Sequence, residues 1–166
     1  MRDDPSLASD HWPRHARQWA LVGPPLRPTP ADVAIVHGEV AAWRAVHARA
    51  PRAAVLGVTP ELVTMAWPAG AAVVAIERSA PVIAALRPTG AVAVQADWRA
   101  LPIAAGALDV VVGDGVLSTL VFPAGYRALA AEVARALAPG GRLIVRLFAA
   151  PEPAEPLAAV AAALAA

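Results

Sequence analysis

The chain has 166 residues, 58% of them hydrophobic and 16% charged, with a formal net charge of +1. That length suits one domain, and so small a net charge generates no field of the kind nucleic-acid binders carry. Cysteine is absent, which excludes a disulfide framework, a thiolate zinc site and a cysteine nucleophile.

Met1 to Asp10 places acids where a secretory signal is basic, and no run of about eighteen apolar residues escapes Gly, Pro or charge. No membrane association is expected, and a cytoplasmic location is the simplest reading. Abundant Ala and Arg with 17 Pro fit the codon bias of a GC-rich bacterial genome.

Residues 1–50 differ from the rest and read as an N-terminal arm and helix. Trp12, Trp19 and the proline-rich stretch from Gly23 to Pro30 predict an irregular arm, because proline removes helix and ladder donors. Thr29 or Asp32 can cap a helix from Ala31 to Ala50. Its apolar set Val33, Val36, Val40, Trp43, Val46 and Ala50 recurs at three- and four-residue steps, and Pro51 is expected to end it.

From residue 51 on, short β-branched runs alternate with Ala-rich stretches. Strands are predicted over Ala53–Gly57, Ala72–Glu77, Ala91–Gln95, Leu108–Gly113 and Arg142–Phe148, and their lack of polar alternation predicts burial on both faces. Helices are predicted over Pro60–Trp67, Ala80–Leu86, Gly115–Leu120 and Gly125–Leu137. The Ser79 hydroxyl is the expected cap of the second, and Pro139-Gly140-Gly141 reads as a helix stop with a sharp turn into the last strand. Strand alternating with helix implies right-handed crossovers: an α/β, doubly wound, Rossmann-like, mostly parallel sheet in three layers over 51–166.

Two features bracket a nucleotide-like ligand. Gly57 ends the first strand and permits close approach of a ligand to backbone, and twenty residues on, Glu77 ends the second, where a carboxylate can accept from two ribose hydroxyls. Among the histidines, His11 and His15 stand four apart, but no metal-ligand pattern emerges and no metal is expected.

The order of signals resembles the class I S-adenosylmethionine-dependent methyltransferases, in a divergent bacterial branch. The residues carrying the resemblance are Leu56-Gly57-Val58-Thr59-Pro60-Glu61, then Glu77, then Gln95-Ala96-Asp97-Trp98, then Leu108 through Gly115, then Leu137-Ala138-Pro139-Gly140-Gly141. It covers about residues 50–148. The resemblance implies S-adenosyl-L-methionine as cofactor and a small-molecule methyl acceptor. It implies that Gly57, Val58, Thr59, Pro60 and Glu61 pass under the methionine part of the cofactor, with N–H groups of the following helix taking its carboxylate. Glu77 would hold the ribose with Arg78 beside it, Asp97 the adenine amino group, and Trp98 the ring. Asp114 and Gly115 would lie where methyl donor and acceptor meet.

Two departures qualify what is implied. Thr59, Pro60 and Glu61 stand where the family's turn is richer in glycine, and Val55 replaces an acid two residues before Gly57, so the cofactor's ammonium needs another partner, Asp114 or a loop carbonyl. The family's final two-strand hairpin has no counterpart after the fifth strand, which leaves an edge to be covered by the arm, the tail or a partner chain and suggests a shortened form or a homodimer. A non-catalytic cofactor- or partner-binding module stays open as an alternative. So does a nicotinamide-dependent oxidoreductase, which shares the spacing of Gly57 and Glu77 but not its three-glycine fingerprint.

Overall fold

The computed structural model describes residues 13–14, 16–149 and 156–164. The expectations for Trp12, His11, His15 and residues 151–155 lie outside them. Five strands form one parallel sheet in the order β3-β2-β1-β4-β5: β1 is Arg52–Leu56, β2 Ala72–Glu77, β3 Val92–Gln95, β4 Leu108–Asp114 and β5 Leu137–Arg146. The helices are α1 Pro30–His47, α2 Pro60–Val63, α3 Ala80–Leu86, α4 Ala124–Ala136 and α5 Leu157–Leu164. No described helix is long and apolar enough to cross a membrane.

Alternate side chains of the central strands supply the two halves of the core. Ala53, Val55, Val110 and Val112 face Val36, Val40 and Trp43 of α1, and Ala54, Leu56 and Val111 pack with Leu129, Val133 and Ala136 of α4. This is the three-layer, doubly wound arrangement that β-branched runs alternating with helices imply. Only β1 and β4 are buried on both faces. β3 and β5 are edges with no fully buried residue, β3 mostly exposed and β5 mostly half-buried, so uniform burial of all five strands does not hold. Their apolar composition does not set them apart from the inner strands, although each has a neighbouring strand on one edge only.

Local chemistry explains where elements begin and end. Thr29 and Asp32 form a reciprocal capping box at the start of α1, with the Asp32 carboxylate accepting from the Thr29 N–H at 2.8 Å. The helix stops at Ala48, which adopts a left-handed conformation (φ 52°), before Pro51 can act. Instead of reaching Trp67, α2 is a single turn. The Thr64 hydroxyl donates to the Pro60 carbonyl, the Trp67 indole donates to the Leu62 carbonyl, and Pro68 disfavours helical backbone at Trp67. The expected helix at 115–120 is a 3-10 turn, Val116–Thr119. Another such turn, Trp19–Leu21, lies within the arm.

The Pro-Gly-Gly segment is part of β5. Leu108 pairs with Leu137 and Val110 with Arg142, so residues 138–141 loop out opposite Asp109. A Cβ at Gly141 would sit 2.9 Å from the Ala138 carbonyl oxygen, and Gly140 has φ 78° while accepting the Trp43 indole N–H at 3.0 Å. The glycines therefore allow a tight bulge that Trp43, 1% exposed, fastens to α1. Ser79 precedes α3 without making a side-chain cap bond, contrary to the expected hydroxyl cap.

Candidate functional site

From β1 the chain crosses to β2 on one side, and from β4 it crosses to β5 on the other. The carboxyl ends of β1 and β4 therefore flank the point where the winding reverses, which is where open α/β sheets bind ligands. A cavity of about 270 Å³ lies there. Leu56, Gly57, Val58 and Thr59 line it from the β1 side, and Asp114 and Gly115 from the β4 side. Glu77 and Arg78 at the end of β2, and Asp97 and Trp98 after β3, line the same cavity. Nine of the sequence-predicted site residues thus share one space.

Glycine is needed at two of these positions. Gly57 has φ 96°, and a Cβ there would meet Trp98 Cζ2 at 3.8 Å. Gly115 is left-handed (φ 59°), and its Cβ would stand 2.9 Å from the Phe148 ring. Backbone and flat ring surface therefore make the floor of the cavity.

Pro60 and Glu61 do not line the cavity, so the structure does not support their expected place beneath a cofactor. The Glu61 carboxylate turns to the arm. It accepts from Arg27 Nε, and Oε1 is 3.4 Å from the Trp19 indole nitrogen. Most α2 N–H groups are committed as well: Leu62 and Val63 both donate to the Thr59 carbonyl, and Pro60 has no N–H. Of the first turn, only the Glu61 N–H forms no hydrogen bond among the described residues.

The carboxylates of the cavity differ in how far protein groups occupy them. Glu77 accepts from the Ser79 N–H at 2.8 Å, and no other hydrogen bond to its carboxylate forms among the described residues. Burial pushes its pKa up, opposed by that backbone bond and by Arg78. Asp97 is clasped by Arg99, whose Nη2 lies 2.6 Å from Oδ2 and whose backbone N–H is 2.8 Å from Oδ1. The Arg99 side chain brings its pKa down to about 2, against a smaller opposing effect of burial. Trp98 is fixed by a 2.6 Å bond from its indole N–H to the Ile76 carbonyl.

The opposite wall left little trace in the sequence: Phe148 lines it, and Arg146 supports it without lining the cavity itself. Arg146, at the end of β5, donates through Nε to Asp114 Oδ1 at 2.6 Å and through Nη1 to the Pro25 carbonyl at 2.9 Å, while its Nη2 is buried without a partner among the described residues. The guanidinium lies 5.1 Å from the Phe148 ring centroid. A charged residue closing the apolar run Leu143-Ile144-Val145 was the available signal. Ser118, Thr119 and Leu120 complete this wall, and Trp19, Val22 and Leu26 reach the cavity from the arm.

The arm is held at both sides of the opening. Arg27 pairs with Glu61 and stacks over Trp19, 5.6 Å from its ring centroid, and Arg146 holds Pro25. Arg27, from the proline-rich stretch, thus meets a protein carboxylate. Trp43 packs in the core, stacked on His47 with centroids 4.1 Å apart.

Sheet order, glycine floor and carboxylates at successive strand ends define a Rossmann-like nucleotide-cofactor domain. The chain belongs to the class I S-adenosylmethionine-dependent methyltransferase family: the model of the methyltransferase domain matches residues 55–145, just over half of it. No protein of curated function matches it in sequence.

Among solved structures, it is similar to S-adenosylmethionine-bound CalS10, an amino pentose methyltransferase from Micromonospora echinaspora (24% identity, TM-score 0.57, 74% of this chain and 52% of that one). DesVI of Streptomyces venezuelae gives 21% identity and a TM-score of 0.57 over 74% of this chain and 53% of that one. A putative S-adenosylmethionine-dependent methyltransferase from Methanococcus maripaludis gives 17% and 0.55, with coverages of 87% and 66%. The chain thus spans about half the length of the first two.

The residues present fit the family's cofactor at its adenosine end. Gly57 leaves room above the β1 turn, Glu77 keeps unused acceptor capacity, and the Trp98 ring stands beside both. The methionine end differs, because Val55 is 0% exposed in the face against α1 and gives a ligand nothing.

Proposed function

We propose that this chain is a methyltransferase that binds S-adenosyl-L-methionine in the cavity at the ends of β1 to β4 and acts on a small-molecule acceptor. The observation that carries this reading is that Gly57, Glu77 and the Asp97-Trp98 pair, contributed by three successive strands, line one cleft. In it Glu77 accepts the ribose hydroxyls, a two-acceptor task suited to a carboxylate, and Arg78 supports its charge. Trp98 flanks the adenine, and Asp97 offers the amino group whatever acceptor capacity Arg99 leaves. Val58 and Thr59 continue the Gly57 turn, and Asp114 and Gly115 mark the reacting end.

When bound, the cofactor supplies an activated methyl group. The protein's part is to align the acceptor with it and exclude water, and no obligatory acid or base follows from such a displacement. The 1–50 segment serves this task through Trp19, Val22 and Leu26, which close the cavity under the Arg27–Glu61 and Arg146–Pro25 contacts. Asp114 lines the cavity and Tyr126 does not, so Asp114 is the better placed of the two to take a proton.

Calorimetry with S-adenosylmethionine, S-adenosylhomocysteine and NAD tests the reading. Saturable heat with the first two and none with NAD is expected. Absence of heat with both sulfur compounds rejects it, and binding without turnover on any acceptor favours a non-catalytic module.

A further inference from the structure

Beside the cofactor cavity lies a second, more open concavity of about 590 Å³. Its chemistry is one-sided: Arg14, Arg17, Arg78, Ser79 and Gln95 line it with proline and alanine, and among the described residues no carboxylate does. All three arginines are exposed, and among the described residues none of them forms a salt bridge. They contrast with the other arginines of the molecule, most of which hold an Asp or Glu. The Ser79 hydroxyl is free of the capping bond its position would favour. Gln95 Nε2 donates to the Arg78 carbonyl at 3.1 Å and so steadies the loop that carries Arg78 and Ser79.

We propose that Arg14, Arg17, Arg78 and the Ser79 hydroxyl form a binding site for a phosphoryl group. Guanidinium groups donate in planar forks that match phosphate oxygens, and a dianion with three terminal oxygens offers several forks more acceptor sites than the two oxygens of a carboxylate. The phosphoryl group comes from one of two sources, a free phosphate or diphosphate, or a larger ligand such as a nucleotide that carries one. Arg78 lines both concavities. An anion seated on it draws on the same charge that supports Glu77, so its occupancy opposes cofactor binding.

The test is calorimetric titration of the full chain with pyrophosphate and with a nucleoside 5′-diphosphate at constant ionic strength, with sodium sulfate as the reference anion. Saturable binding of at least one phosphoryl compound, tighter than sulfate, is expected. The exposed-site double variant Arg14→Gln/Arg17→Gln should weaken it tenfold or more while keeping the unfolding midpoint and the affinity for S-adenosylhomocysteine. Arg17→Lys, which keeps charge but loses the fork, should give an intermediate loss. Equal affinity for the two phosphoryl compounds assigns the site to free phosphate or diphosphate, and tighter nucleotide binding assigns it to a nucleotide-borne group. No saturable binding, affinity equal to sulfate, or affinity indifferent to the double variant overturns the proposal. Phosphoryl binding by a chain that ignores S-adenosylhomocysteine would leave this site standing and reject the cofactor assignment alone.

Discussion

Asp109 and Asp114 stand at opposite ends of the same strand, and the protein treats them differently. Asp109 is fully buried and accepts five hydrogen bonds, two from Arg49 and three from Arg52 including its backbone N–H. Among the described residues Asp114 accepts one, from Arg146, which keeps a buried Nη2 without a partner there. The amino end of β4 is a saturated clamp joining the α1–β1 connection to the sheet. The carboxyl end is held loosely enough to keep polar capacity beside a cavity. One end of the strand serves the fold, and the other is left for ligand chemistry.

Removing the clamp should have the largest effect. Asp109→Ala strands two arginines and a backbone donor, and loss of one side of a buried ion pair costs about 3–5 kcal/mol. Arg49 and Arg52 are about half exposed and regain water, so about 3 kcal/mol is expected by urea denaturation, with a clearly smaller loss for Asp114→Ala. The comparison fails if the two variants cost the same. Hydrogen bonds from Arg49 hold the Asp109 carboxyl far below its ordinary pKa. With the folded pKa depressed, the stabilisation is complete above the unfolded value of about 3.9 and is lost as pH falls below it toward the folded one.

The ligand end is probed next through Glu77. Glu77→Ala should weaken S-adenosylmethionine binding tenfold or more, about 1.4 kcal/mol or above, with little change in unfolding midpoint. Because burial raises the Glu77 pKa, cofactor affinity should begin to fall on acidification at a pH above the usual carboxylate range. Unchanged affinity in the folded variant removes Glu77 from the site.

Much of this division was legible in the chain, and the reasons differ between its parts. Apolar β-branched runs place β1, β2 and β4 well, because the inner strands of a parallel sheet carry unbroken apolar runs without polar alternation. Gly57, Glu77 and Asp97 could be brought together on paper, since parallel strands linked by right-handed crossovers put successive carboxyl ends on one edge. Glu61 could not be placed, because its side chain answers to Arg27, 34 residues earlier, and spacing carries no record of that pairing. The Pro-Gly-Gly segment was legible as a turn but not as a bulge, which depends on Asp109 across the ladder. Edge strands likewise resemble central ones in composition, because position in the sheet order leaves no mark on an apolar run.

The arm offers a smaller, kinetic test. Arg27→Gln removes the charge opposite Glu61, so the arm should open more often, and release of bound S-adenosylhomocysteine, followed by tryptophan fluorescence, should quicken about two- to fivefold, the range of one partly exposed ion pair. Glu61→Gln should act in the same direction. If either variant leaves release unchanged, these contacts do not govern access to the cavity.

The smallest expected effect concerns Arg99. Its pairing with Asp97 is largely exposed, and such pairs are worth about 0–1 kcal/mol, so Arg99→Gln should scarcely alter stability. The same substitution should move the Asp97 titration from about 2 back toward its ordinary range, since the Arg99 side chain is the main cause of the depression. Cofactor affinity separates two arrangements. If Asp97 keeps enough acceptor capacity for the adenine amino group while clasped, affinity should change by less than about threefold, under about 0.7 kcal/mol. A marked gain would mean that Arg99 competes for the oxygens the adenine uses, which would make Asp97 resemble Asp109, an acid already committed to the protein, more than Glu77.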